Sequence, residues 1–215
     1  MKPAGLGDPK VHRITDNVYA ITGFYHTTGR GFGVNAGIIF TAKSVVFIDS
    51  GMTISSGEFL WKIAEERISG QEDLYLILTH HHSDHVFGMR VLKDKGATII
   101  AHSGVREYLE KDDGKYKRFI TEKCGWDQEK GDEILGDVLL SLPDQLIEKD
   151  TVLGTNGEGI NLFVTPGHVP SELSIYHSAS RTLFTGDTVY EGTPPTTRFG
   201  GAAEWRVWIF QLERL

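Results

Sequence analysis

The chain has 215 residues, of which 29 are acidic and 22 basic, for a formal charge of −7. With 40% hydrophobic and 24% charged residues it can bury one large core. No run approaches the roughly 18 to 20 apolar residues of a membrane span. The acidic balance argues against a broad phosphate-binding surface, so a nucleic-acid partner is not expected. Cys124 is the single cysteine, which excludes an internal disulfide, and it reads as a packing residue. Residues Met1 to Asp8 lack an apolar signal region, so a cytoplasmic protein is expected.

The opening third reads as a β-meander. Val18 to Thr22, Asn35 to Phe40 and Ser44 to Ile48 are β-rich runs separated by glycine-bearing loops. The loop Gly23 to Gly33, with aromatics among glycines, is either a mobile cleft wall or an ordinary hairpin loop. Ser55 and Ser56 offer N-capping hydroxyls before a helical stretch at Phe59 to Ala64. Leu74 to Leu78 reads as a buried strand. Val86 to Leu92 suits a helix ended near Gly96, and Ala97 to Ala101 another strand. Val105 to Leu142 is polar and helix-prone and reads as an insertion over a cleft, not a second domain. A basic group within it (Lys111, Lys115, Lys117, Arg118) is interrupted by acids and fits a solvated face. Strands return at Ile160 to Val164, Leu173 to Tyr176 and Thr182 to Thr185. Ala203 to Leu215 carries a helical apolar stripe of Trp205, Trp208, Ile209, Leu212 and Leu215 that should cover a sheet.

Four of the nine histidines and an aspartate fall in the run Thr79-His80-His81-His82-Ser83-Asp84-His85. His80 and His82, two apart after a strand, point to one side, and His81 between them points away. Asp84 and His85 lie where the chain turns into the next helix and approach the same point from another direction. Imidazole nitrogens with a carboxylate suit zinc, with iron or manganese as alternatives. Ser83 reads as a loop residue. Two later segments place suitable residues after strands: Thr165-Pro166-Gly167-His168 and Thr185-Gly186-Asp187-Thr188. Alone, His168 would pass for a structural histidine and Asp187 for a turn residue, but rigid strand ends are where ligands belong.

His80-x-His82-x-Asp84-His85, then Pro166-Gly167-His168, then Thr185-Gly186-Asp187 resembles the metallo-β-lactamase fold superfamily, from about Val18 to the C-terminus. Phe47-Ile48-Asp49-Ser50-Gly51 resembles its first motif, in which the aspartate supports the metal loops without ligating. The resemblance implies an α+β fold, a four-layer αββα sandwich occupying residues 1–215 as one domain, with metal at one edge between two sheets. It assigns His80, His82 and His168 to a first metal site. Asp84 and His85 go to a second, with Asp187 bridging the two. Family members add one more histidine on a strand after the final helix. This sequence has none after His177, which lies out of order, so either the second site is weak or empty or, as the apolar face of Ala203 to Leu215 favours, the C-terminal strand is missing.

The chemistry implied is attack on a carbonyl of a small-molecule substrate (ester, thioester or lactone) by a zinc-bound hydroxide, using one or two ions, with Asp84 orienting the nucleophile. A bridging aspartate is typical of thioesterases such as glyoxalase II, of lactonases and of nucleases, and less so of true β-lactamases. Tyr190 resembles a carbonyl-polarising tyrosine of homoserine-lactone lactonases, or is an ordinary packing aromatic. Within the same fold, a single-iron persulfide dioxygenase is the alternative from another reaction class, with β-lactamase or nuclease as further ones.

Overall fold

The computed structural model describes residues 5–25, 34–112, 114–153, 159–192, 194–197 and 200–215. Seven strands form the larger sheet in chain order: β1 (Gly7–Thr15), β2 (Val18–Phe24), β3 (Val34–Phe40), β4 (Ser44–Ile48), β5 (Asp73–Ile77), β6 (Thr98–His102) and β7 (Gln145–Ile147). Pairing is antiparallel from β1 to β4 and parallel from β4 to β7. A second, antiparallel sheet holds β8 (Thr151–Leu153), β9 (Ile160–Val164), β10 (Leu173–His177) and β11 (Thr182–Phe184).

Strand alternation separates two cores. In β4, Val46 and Ile48 face the second sheet, where they meet Ile39, Ile77, Ile100, Leu162, Leu173 and Ile175. Val45 and Phe47 face the other way, toward Leu60 and Ala64 of α1 (Ile54–Glu65) and toward Phe87, Met89 and Leu92. A strand buried on both faces needs an unbroken apolar run, and Val45 to Ile48 supplies it. The sheets approach closely at Gly37 of β3, where an added Cβ would fall 2.4 Å from the Phe184 ring. The α+β sandwich expected from the sequence is therefore present, and the β-meander opens it.

Several boundaries differ from expectation. The α1 cap is Thr53, whose hydroxyl accepts from the Ser56 N–H, and not Ser55 or Ser56, so the helix starts at Ile54. The helix expected over Val86 to Leu92 is two short helices, α2 (Ser83–Val86) and α3 (Met89–Asp94). Gly88 separates them because it abuts another loop: its N–H donates to Gly51 O, and a Cβ there would meet Ser50 O at 2.1 Å. The insertion is three helices, α4 (Ser103–Glu110), α5 (Lys115–Lys123) and α6 (Gln128–Leu135), which add Val105, Tyr116, Ile120 and Leu135 to the helix-side core. Phe24, read from the sequence as part of the loop Gly23 to Gly33, is instead a buried core residue ending β2. Residues 26–33 of that loop lie outside the described residues. In α7 (Ala202–Arg214) Trp208 is buried, but Trp205, Ile209, Leu212 and Leu215 are exposed, so the anticipated stripe does not cover a sheet. No helix is long and apolar enough to cross a membrane among the described residues.

Candidate metal centre

Because β4, β5 and β6 are parallel, their C-terminal ends share one edge of the sheet, where loops converge. Asp49 follows β4, Thr79 and His80 follow β5, and His82 is the N-cap of α2, which carries Asp84 and His85 in its single turn. From the second sheet, the β9–β10 turn brings His168, and a one-turn 3-10 helix after β11 (Gly186–Thr188) brings Asp187. The Leu173 N–H donates to Thr79 O at 2.9 Å, tying the two sheets together at this edge.

His80, His82, His168 and Asp187 each present a donor atom there, all within 4.8 Å of one another. His80 Nε2 and His168 Nε2 each lie 3.0 Å from His82 Nδ1. The outer nitrogens fix the tautomers. Thr79 Oγ1 donates to Asp49 Oδ2 and lies 3.0 Å from His80 Nδ1, so His80 Nδ1 is the donor to it and Nε2 keeps its lone pair. His168 Nδ1 faces Thr196 O, which accepts, and again frees Nε2. Burial lowers the pKa of all three imidazoles, His82 to about 3, so they are neutral at pH 7. Three inward nitrogens cannot all be satisfied by one another's protons. A cation is the group that fits, since tetrahedral zinc–nitrogen bonds of about 2.0 Å put ligand nitrogens roughly 3.3 Å apart.

The remaining expected ligands stand beside this group. His85 Nε2 lies 3.6 Å from Asp84 Oδ2 and 3.4 Å from Asp187 Oδ1, while Asp187 Oδ2 lies 3.5 Å from His168 Nε2. Asp187 thus turns one oxygen toward His85 and the other toward His168. Burial opposes a charge on His85, but Asp49, Asp84 and Asp187 hold its pKa well above the ordinary value. Asp49 accepts from His85 Nδ1 at 2.7 Å and from the Thr79 N–H at 2.8 Å. It sits at φ 59°, a left-handed conformation that aspartate tolerates better than most residues. Tyr190 Oη donates to Asp187 Oδ2 at 2.7 Å; burial, then Asp187, pushes its pKa up, which keeps it a neutral donor.

His81 leaves the group. Its ring stacks on Tyr108 of α4 with centroids 4.0 Å apart, and its carbonyl accepts from Tyr116 Oη of α5 at 3.2 Å. The insertion thus touches the histidine loop directly. His177 lies at the far end of β10, about 13 Å of strand from Leu173, and its Nδ1 pairs with Ser180 Oγ at 2.7 Å. Two further residues of the site, Thr79 and Glu172, are not marked by the sequence pattern. Thr79 was visible only as the start of the run. Glu172 is fully buried beneath the site: its Oε1 accepts from the Asp187 N–H at 2.6 Å and lies 3.8 Å from His80 Nδ1. The available signal was an acid standing immediately before the alternating strand Leu173–His177.

A model of the metallo-beta-lactamase superfamily matches residues 29–215. The chain belongs to that superfamily. It is 30% identical over 106 residues to a metallo-beta-lactamase type 2 of Elizabethkingia meningoseptica, 48% of this chain and 41% of that one. It is 29% identical over 117 residues to a hydroxyacylglutathione hydrolase of Klebsiella pneumoniae, 54% of this chain and 34% of that one. A Caenorhabditis elegans beta-lactamase-like protein 2 homolog is 23% identical over 185 residues, 85% of this chain and 54% of that one. The chain thus spans between about a third and a half of the length of these relatives. A solved metallo-beta-lactamase from Pontibacter korlensis shares the fold with a TM-score of 0.71 at 18% identity, over 96% of this chain and 86% of that one.

Proposed function

We propose that this protein is a metal-dependent hydrolase acting on the carbonyl of a small ester, thioester or lactone. The observation that carries this reading is the placement of Asp187, with one oxygen toward His168 and the other toward His85. That arrangement supports a first site of His80, His82 and His168 and a second of Asp84 and His85, joined by Asp187. Similarity to hydroxyacylglutathione hydrolases, reaching 60% of the chain at 27% identity for one of Mesorhizobium japonicum, supports a thioester or related substrate.

One or two divalent ions, zinc by preference for this donor set, would supply Lewis acidity and a water acidic enough to deprotonate near neutral pH. The protein's own residues do the rest. Asp84, part-exposed beside His85, would offer a carboxylate oxygen to orient the water that attacks the carbonyl. The Tyr190 hydroxyl, held by Asp187, is available to a substrate carbonyl that competes for its proton. Tyr108 and His81 form an aromatic wall at the histidine loop.

Metal analysis of untagged protein, followed by thioester, lactone and β-lactam substrates, tests the proposal. Zinc with turnover of one of the first two classes is the expected result. Asp84→Asn should lower kcat by about 10²- to 10⁴-fold while the His80–His82–His168 site still takes up metal. A single iron with oxygen consumption would replace the hydrolase reading by a dioxygenase one. Turnover of β-lactams alone would move the substrate class.

A further inference from the structure

Glu172 contacts several parts of the site through both its backbone and its side chain. Its backbone carbonyl accepts from the Thr165 N–H at 2.9 Å, at the base of the turn that carries His168. Its side chain runs beneath the site, where Oε1 accepts from the backbone N–H of Asp187 at 2.6 Å and stands 3.8 Å from Nδ1 of His80. The next residue, Leu173, bonds Thr79 O. One residue therefore touches all three ligand-bearing segments, which come from two sheets.

Access for the carboxyl is built in. Gly186 sits at φ 53°, and a Cβ there would fall 2.7 Å from Glu172 Oε1 and 2.9 Å from Thr79 Cβ. Only a residue without a side chain lets the Gly186–Asp187 turn settle onto the carboxyl. Oε2 makes no close hydrogen bond among the described residues and has only the Val169 backbone N–H facing the carboxyl, although the side chain is fully buried. A half-satisfied buried carboxyl is a burden on folding alone, where an apolar side chain of similar size would serve better. Its presence calls for a role that stability does not supply.

We infer that Glu172 is a positioning residue: its carboxyl fixes the Asp187 backbone relative to His80 and thereby sets the spacing between the bridging carboxylate and the three imidazoles. The inference rests on the metal-centre reading above. The bonded N–H is that of Asp187 itself, so loss of the acceptor frees its φ and swings the carboxylate off the histidines. The 2.6 Å bond needs only an acceptor at Oε1, which an amide oxygen also provides.

The test is a cobalt(II) titration of the whole chain in competition with a chelator, read by the visible absorption of the bound ion, which reports ligand number and geometry. Glu172→Leu should keep the wild-type far-UV spectrum without metal, weaken cobalt binding about 10- to 100-fold and change its absorption. Glu172→Gln should restore the wild-type spectrum and an affinity within about threefold, because Asp187 keeps its acceptor. Wild-type affinity and absorption in Glu172→Leu would overturn the inference and leave the metal centre standing. So would a Glu172→Gln chain as impaired as Glu172→Leu, or a Glu172→Leu chain unfolded without metal. If the wild-type chain bound no cobalt, the metal-centre reading and this inference would fall together.

Discussion

At the scale of single residues, the site rests on one hydroxyl as much as on any ligand. Thr79 Oγ1 donates to Asp49 and accepts from His80, so it sets the His80 tautomer from behind. Thr79→Val keeps shape and removes both functions. A buried carboxylate oxygen that loses a partner costs about 1 to 3 kcal/mol, and a disturbed ligand tautomer costs about 10- to 100-fold in metal affinity. Urea unfolding of the metal-free protein reads the first and chelator competition the second; if both match wild type, the hydrogen-bond chain from His80 through Thr79 to Asp49 does not set the tautomer. His80, His82, His168 and Asp187 were legible because each stands just after a strand-like run, where a cation's donors can be held. Thr79 and Glu172 were not, since their significance comes from partners on other strands. A threonine before a histidine and a glutamate before a strand say nothing until the sheets are registered. Asp187 was legible as a residue after a strand, whereas its place between His85 and His168 came only from the family resemblance, because residue spacing does not say which loops of the two sheets meet.

At the scale of elements, alternation made β3, β4 and β9 readable, because their burial follows period two or is continuous on both faces. The strand β1 escaped notice for a physical reason: it is an edge strand, largely exposed, with Pro9 in it and no apolar repeat. The strands β7 and β8 have three residues each, too few to show any period. The packing of the two sheets was equally hidden, yet it depends on one glycine. Gly37 leaves room for the Phe184 ring, and a methyl at that position would lie 2.4 Å from Phe184 Cε1. Gly37→Ala should therefore destabilise the fold by about 1 to 3 kcal/mol through overpacking. Adding Phe184→Leu should recover part of that loss, and the double-mutant cycle in urea should show a favourable coupling. Strict additivity would mean that Phe184 is not what fills the space. Since β11 leads directly into Asp187, a shift of Phe184 also displaces the metal-side turn, so cobalt affinity should fall with stability.

At the scale of the whole molecule, the candidate metal centre is a junction between two sheets. His80 and His82 hang from β5 in the larger sheet, whereas His168 and Asp187 hang from β9 and β11 in the smaller one. A cation held by all of them adds a link across the sandwich that the unfolded chain does not have. Ligand binding to the native state alone stabilises it by about 2.7 kcal/mol when free metal is 100-fold above Kd. For a chain of this length that is roughly 5 to 10 °C in Tm. The histidine run alone could also chelate metal as a loop from one sheet, and that would stabilise much less, because such a loop can bind in the unfolded chain too. His168→Ala separates the two cases. Its ring is buried against Trp208 of α7 at 6.2 Å, so the metal-free variant should itself lose some stability. The decisive quantity is the further rise in Tm on adding zinc. If the ion joins the sheets, that rise should shrink to a small fraction of the wild-type value. An undiminished rise would place the ion on the Thr79–His85 loop alone and detach the second sheet from the chemistry.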